Sequence, residues 1–156
     1  MKFRTGGQTG VDRAALDALM KHKQEVGGWC PKGRKAEDGI IPERYPLREL
    51  DSESCADRTL ANVRDSDATL IIHFGPLEGG TKLTQQFSQE TQKPCLMING
   101  DEIVPTEGAK MLIKFLASHS IEELNVAGPR ASEASRAYQY TYMLIEVWAR
   151  TSSISP

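Results

Sequence analysis

A doubly wound, parallel α/β sheet is the fold this sequence predicts, and three observations predict it. Apolar runs of strand length alternate five times with segments of helical periodicity. The run "ATLIIHF", residues 68–74, is continuously apolar and rich in branched side chains, as a strand covered on both faces reads. Glycine-rich turns recur after predicted strands, and such sheets bind ligands at the carboxyl ends of their strands.

Each element has its own justification. Residues 1–4 predict a short first strand in which only Met1 and Phe3 are apolar. Residues 9–23 predict a helix, because Ala14, Ala15, Ala18 and Leu19 recur at helical spacing. Thr9 is its expected N-cap, with Asp12 close to completing a capping box. Residues 25–29 predict a brief strand. The whole stretch 25–47 holds three prolines and four glycines and otherwise predicts one long irregular loop, of a length that is commonly functional. Residues 52–66 predict a helix with Ala56, Leu60 and Val63 on one face. After the strand 68–74 come a loop over 75–80 and a helix over 81–92 packing through Leu83 and Phe87. Residues 94–99 predict a strand, and 106–119 a helix with Ala109, Leu112, Ile113 and Leu116 inside. Residues 123–128 predict the last strand, and 134–150 the last helix, with Ala137, Thr141, Leu144 and Trp148 on one face. Residues 151–156 read as a disordered tail, which leaves one domain over 1–150.

Composition narrows the class. The chain has 156 residues, 39% apolar and 26% charged, which suits one ordinary globular domain. A net charge of −2 gives no general attraction for nucleic acid. No apolar run approaches the ~18 residues a membrane span needs, and the start lacks a signal-peptide layout. Cys30, Cys55 and Cys95 are odd in number and far apart, against a disulfide framework or a zinc site. A cytoplasmic protein is expected.

The chemistry gathers in the loops. "GGQTG", residues 6–10, stands between a strand and a helix start, where glycines admit positive φ and the helix offers free N–H donors to an anion. Gln8 and Thr9 add side-chain donors. "GPLEGGTKLT", residues 75–84, is a second such junction. It falls short of a triphosphate-binding P-loop because Thr81 precedes Lys82, which puts the lysine out of phase. A helix terminus contributes about 0.3–1 kcal/mol toward an anion, up to about 2 when partly buried. Micromolar binding needs about 8 kcal/mol, so other groups must contribute. Lys32 and Arg34, beside Trp29, are candidates: arginine for bidentate phosphate contact, tryptophan for stacking on a flat ring. Arg130 and Ser132 follow the last strand on the same edge. Asp65 and Asp67 read either as turn caps or as metal or sugar contacts. Cys30 reads either as a buried small hydrophobe or as a thiol made acidic by Lys32. His22, His73 and His119 form no catalytic constellation with any nucleophile in these loops.

The stretches "GGQTGVDRAALDAL", "GGWCPKGRKAEDGIIPERYPL", "NVRDSDATLI", "GPLEGGTKLT" and "LNVAGPRAS" follow one another as in the molybdenum cofactor carrier proteins. Over residues 1–150 the chain resembles that Rossmann-like family, which is related to the lysine-decarboxylase-like phosphoribohydrolases. The resemblance implies a cytosolic binding protein, not an enzyme, that protects and transfers molybdenum cofactor (molybdopterin), a pterin carrying a phosphate. It implies a homodimer or homotetramer, with molybdoenzymes as recipients and no nucleic-acid or membrane partner. The residues carried over are Gly6, Gly7, Gln8, Thr9, Gly10, Lys32, Arg34, Gly79, Gly80, Thr81 and Arg130; none is catalytic and none binds metal. The chain departs from the family in its polar first strand and in "EASRAYQY" after "GPRAS", where a glycine turn is expected. Relatives that cleave nucleoside monophosphates carry GGxGTxxE, and Thr84 stands where that Glu would fall. The alternatives are a phosphoribohydrolase-like enzyme and a nucleotide-sensing module, since a nucleotide also carries the phosphate these loops would seat.

Overall fold

The computed structural model describes residues 1–154; Ser155 and Pro156 lie outside the described residues. The chain runs β1 (Lys2–Arg4), α1 (Val11–Lys21), β2 (Glu25–Gly27), then four two-residue strands and seven longer alternating elements. The short strands are β3 (Trp29–Cys30), β4 (Lys35–Ala36), β5 (Gly39–Ile40) and β6 (Arg48–Glu49). After them come α2 (Cys55–Arg64), β7 (Ala68–His73), α3 (Gly79–Glu90), β8 (Cys95–Asn99), α4 (Pro105–Ser118), β9 (Glu123–Ala127) and α5 (Ala137–Ile154).

Five strands form one parallel sheet in the order β2-β1-β9-β7-β8. The doubly wound α/β expectation holds. The order has a further meaning. If β9 is counted first and β1 second, it reads 3-2-1-4-5, the Rossmann order without its sixth strand. The last strand of this chain thus occupies the place of a first strand, and the direction of winding reverses between β9 and β7.

The two faces of the sheet differ. Ala68, Leu70 and Ile72 of β7, with Leu124 and Val126 of β9, join a core filled from α1, α4 and α5. Alternation sends Thr69 and Asn125 to the opposite face, where Asn125 Nδ2 donates to Thr69 Oγ1 at 3.4 Å. There α2 and α3 present Thr59, Asn62, Thr81, Thr84 and Ser88, all buried. This polar layer is what the sequence reading missed. Ala56, expected inside, is exposed, and Leu60, Leu83 and Phe87 are half-buried. In α4, Ala109 and Leu112 are buried as expected but Ile113 and Leu116 only partly, because only Gly108, Ala109 and Leu112 are fully covered.

Three other expectations change. The polar β1 is an interior strand: Phe3 is fully buried edge-on to Trp148, while Lys2 and Arg4 pair with Glu25 and Glu123 of the flanking strands. The N-cap of α1 is Gly10, not Thr9; Asp12 Oδ2 instead accepts the Gln8 N–H at 3.0 Å. The tail expected at 151–156 is helical through Ile154, where Thr151 Oγ1 and Ser153 Oγ donate back to the carbonyls of Val147 and Ala149. Among the described residues, no helix is long and apolar enough to cross a membrane.

Candidate functional site

At the carboxyl edge, where the winding reverses, the loops after β1 and β9 meet the start of α3 and one face of α2. They enclose an open cleft at the place where small-molecule sites of such sheets form. Most such sites are lined by apolar groups. This one is lined by Gly6, Gln8, Asp12, Arg58, Thr59, Asn62, Gly80, Thr81, Thr84, Asn125, Arg130 and Glu133, among others. Amides, hydroxyls and guanidinium groups suit a polar, anionic ligand.

The glycines have specific duties. Gly10 sits at φ 79°, and a Cβ there would strike the carbonyl of Pro129, so only glycine lets the two loops touch. Val11 N–H then donates to that same carbonyl at 3.2 Å. Gln8 organises the loop through Oε1, which accepts the N–H groups of Thr9 (3.0 Å) and Glu37 (2.9 Å).

Helix α3 opens without a cap. Glu78 precedes it but its side chain makes no capping hydrogen bond. Thr81, in the first turn, is only 5% exposed, lines the cleft, and has no partner for its hydroxyl among the described residues. Thr84 and Ser88 on the same face are satisfied, donating to the carbonyls of Gly80 (2.8 Å) and Thr84 (3.0 Å).

Arg58 supplies the charge. Its side chain is 12% exposed, and Nη1 donates to Gly6 O at 3.1 Å and lies 3.9 Å from Asp12 Oδ2. No other guanidinium hydrogen bond is made among the described residues, so donors remain for a ligand in the cleft. Burial pushes the Asp12 carboxyl up from its ordinary value, and Arg58 only partly opposes this. Arg130 stands at the cleft wall paired with Glu133 at 2.9 Å.

Of the residues singled out in the sequence, Gly6, Gln8, Gly80, Thr81 and Arg130 line the cleft; Gly7, Thr9 and Gly10 lie beside them in the loop after β1, and Gly79 is the first residue of α3. Lys32 and Arg34 do not line it. Arg34 lies at φ 53° and spends its guanidinium on the carbonyls of Ile41, Leu47, Pro42 and Tyr45 at 2.9–3.1 Å, which makes it the staple of the 25–47 loop. Lys32 pairs with Asp51 at the surface. Trp29 is held by Asp65, which accepts its Nε1–H at 2.8 Å, with Arg48 over the ring. Asp67 caps the N–H groups of Glu122 and Glu123, whereas the Asp65 carboxylate serves the Trp29 indole and the Arg64 guanidinium. Burial pushes the Cys30 thiol up, not down. Arg58, Thr59, Asn62 and Asn125 went unread. The one signal for Arg58 was a lone cation on a helix face otherwise bearing Thr59, Asn62 and Ser66.

A permuted Rossmann-like sheet with a polar cleft at its switch point defines a class: α/β proteins whose strand ends frame the place where a ligand can sit. Comparison with known proteins sharpens this. Residues 3–148 match the family described as the circularly permutated YpsA SLOG family, cpYpsA, and the chain belongs to that family. The strand order, with the last strand in the place of a first, agrees with that description. A crystal structure of the "putative molybdenum carrier protein" from Syntrophus aciditrophicus SB is 48% identical, with a TM-score of 0.92, over 94% of this chain and 93% of that one. No curated protein matches.

Proposed function

We propose that this protein is a carrier that binds molybdenum cofactor by its phosphate-bearing pterin and holds it without turning it over. The observation that carries the reading is the open first turn of α3. Thr81, itself 5% exposed, offers a hydroxyl without a partner among the described residues to the same cleft into which Arg58 brings spare guanidinium donors. A phosphate at this point receives helix N–H groups, a hydroxyl and a cation together, which supplements the helix terminus with the charge it lacks alone. Asn125, 3% exposed at the cleft floor, carries an amide suited to the ring edge of a pterin. Gly6, Gly7, Gln8, Thr9 and Gly10 with Gly79 and Gly80 shape the walls, and Arg130 adds charge at the rim. The neighbour's name favours molybdenum cofactor over other phosphate ligands as cargo.

The rival reading, a phosphoribohydrolase, lacks a free carboxylate at the α3 position where its relatives carry Glu. Thr84 is there, with its hydroxyl bound to Gly80 O at 2.8 Å. Both cleft carboxylates are engaged, Asp12 with the Gln8 N–H and Glu133 with Arg130. Titration of purified protein with molybdenum cofactor, followed by tryptophan fluorescence and calorimetry, tests the proposal. Saturable binding that Arg58→Ala weakens at least tenfold supports it; no binding, or binding indifferent to Arg58, overturns it.

A further inference from the structure

The β4–β5 hairpin is held at its base and at its tip by different means. At the base, Arg34 grips four carbonyls and its own carbonyl accepts the Ile41 N–H at 2.8 Å. At the tip there are only polar contacts. Asp38 takes both Nη groups of Arg13 at 2.9 Å each. The Glu37 carboxylate accepts the Thr9 hydroxyl, the Ser132 N–H at 3.1 Å and the Ser132 hydroxyl at 2.5 Å. Apolar backing lies only at the base side, where Ala36 packs against the cluster of Ile41 and Tyr45; Ile40 is 77% exposed. A segment with few buried contacts and solvent-facing hydrogen bonds opens locally at low cost.

The partners of Glu37 are the notable part. Thr9 belongs to the loop after β1 and Ser132 to the loop after β9, and Thr9 Oγ1 also accepts the Ala131 N–H at 3.1 Å. These loops flank the cleft, and Gln8 and Arg130, their immediate neighbours, line it. Three donors from two ligand loops therefore converge on one exposed carboxylate of the same chain.

We propose that the hairpin is a lid latched by an internal anion: the Glu37 carboxylate fills a seat made by Thr9 and Ser132, and a phosphomonoester entering the cleft competes with it and releases the lid. This rests on the reading of the cleft as an anion site, and it adds how entry is controlled. The latch keeps the seat filled when no cargo is present and couples cargo binding to release of the hairpin tip.

Hydrogen exchange and phosphate titration test it together. In the absence of any ligand, Glu37→Gln should speed exchange of the amides of residues 36–38 about tenfold while the amides of β7 stay protected. The same variant should bind inorganic phosphate and adenosine monophosphate about three- to tenfold more tightly than the native protein, the size of one modest charge-assisted hydrogen bond. Adding either probe to the native protein should speed exchange in the hairpin. Asp38→Asn, which cuts the Arg13 tie and leaves Glu37 in place, should loosen the hairpin without tightening binding as much. Unchanged hairpin exchange in both variants overturns the latch, whatever the probes do. Increased hairpin protection on binding overturns competition in favour of closure over the ligand. If neither protein binds either probe, the reading of the cleft fails and the competition with it.

Discussion

Arg58 Nη1 donates to the carbonyl of Gly6 at 3.1 Å, which ties helix α2 to the first glycine loop and leaves the rest of the guanidinium in the cleft. The same tie explains why position 6 is glycine: a Cβ there would run into the Arg58 side chain, with Cζ 2.9 Å away. Arg58→Ala should lower affinity for phosphate ligands at least tenfold and cost about 1–2 kcal/mol of stability, since Gly6 O loses its donor. Arg58→Lys should restore binding only in part, because an ammonium lacks the planar fork that reaches Gly6 O with one nitrogen and a phosphate with another. Calorimetry and thermal melts on the two variants check both parts.

Thr81→Val isolates the hydroxyl. The residue is buried, yet its oxygen has no partner within the described residues, so the replacement should leave the melting temperature unchanged or raise it slightly. Affinity should fall about three- to tenfold, the worth of one hydrogen bond. Thr81→Glu should abolish anion binding while the circular dichroism spectrum stays native.

Arg34 separates the two roles a cation in the long loop can have. Four carbonyl contacts make Arg34→Ala a stability variant, expected to lose about 2–4 kcal/mol as buried acceptors go unpaired. Ligand affinity, measured where the variant is still folded, should change less than it does for Arg58→Ala. Denaturant unfolding and titration of the same sample decide this.

Glu146 sets a pH dependence away from the cleft. Hydrogen bonds from Lys21 and His22, with help from Arg150, hold its carboxyl down to about 2, against 4.5 ordinarily. A carboxyl lowered on folding binds fewer protons in the native state. Its contribution is therefore full above about pH 4.5 and is lost as the pH falls toward 2. Glu146→Gln should cost about 1 kcal/mol at neutral pH, a figure kept small by the exposure of Lys21 and Arg150, and should flatten stability between pH 4.5 and 2. Melting curves across that range give the test.

The sheet was legible because its signals are local. Five apolar runs, each followed by a helical period, were enough for β7, β8, β9 and the helices after them. Strand order was not legible: placing β9 between β1 and β7 depends on pairings such as Leu124 with Ala68 and with Phe3. The glycine loops were legible as loops, since Gly10 and Gly80 announce backbone freedom. What hid was the far wall of the cleft. Arg58, Asn62 and Asn125 come from a helix and a strand whose polar residues look like solvent-facing ones until α2 and α3 cover that side of the sheet. Arg34 misled for the opposite reason: a cation beside Trp29 in a glycine-rich loop looks free, and only the folded loop shows its carbonyls turned inward.

On the proposed reading the cleft holds a phosphate ligand and does not cut it. The most direct measurement is to incubate the protein with adenosine monophosphate and, separately, with molybdenum cofactor, and to chromatograph the mixtures over many hours. The account predicts that cofactor is recovered intact and protected, and that neither free adenine nor ribose 5-phosphate accumulates above the blank. Steady release of adenine and ribose 5-phosphate, lost in Arg58→Ala, would contradict it.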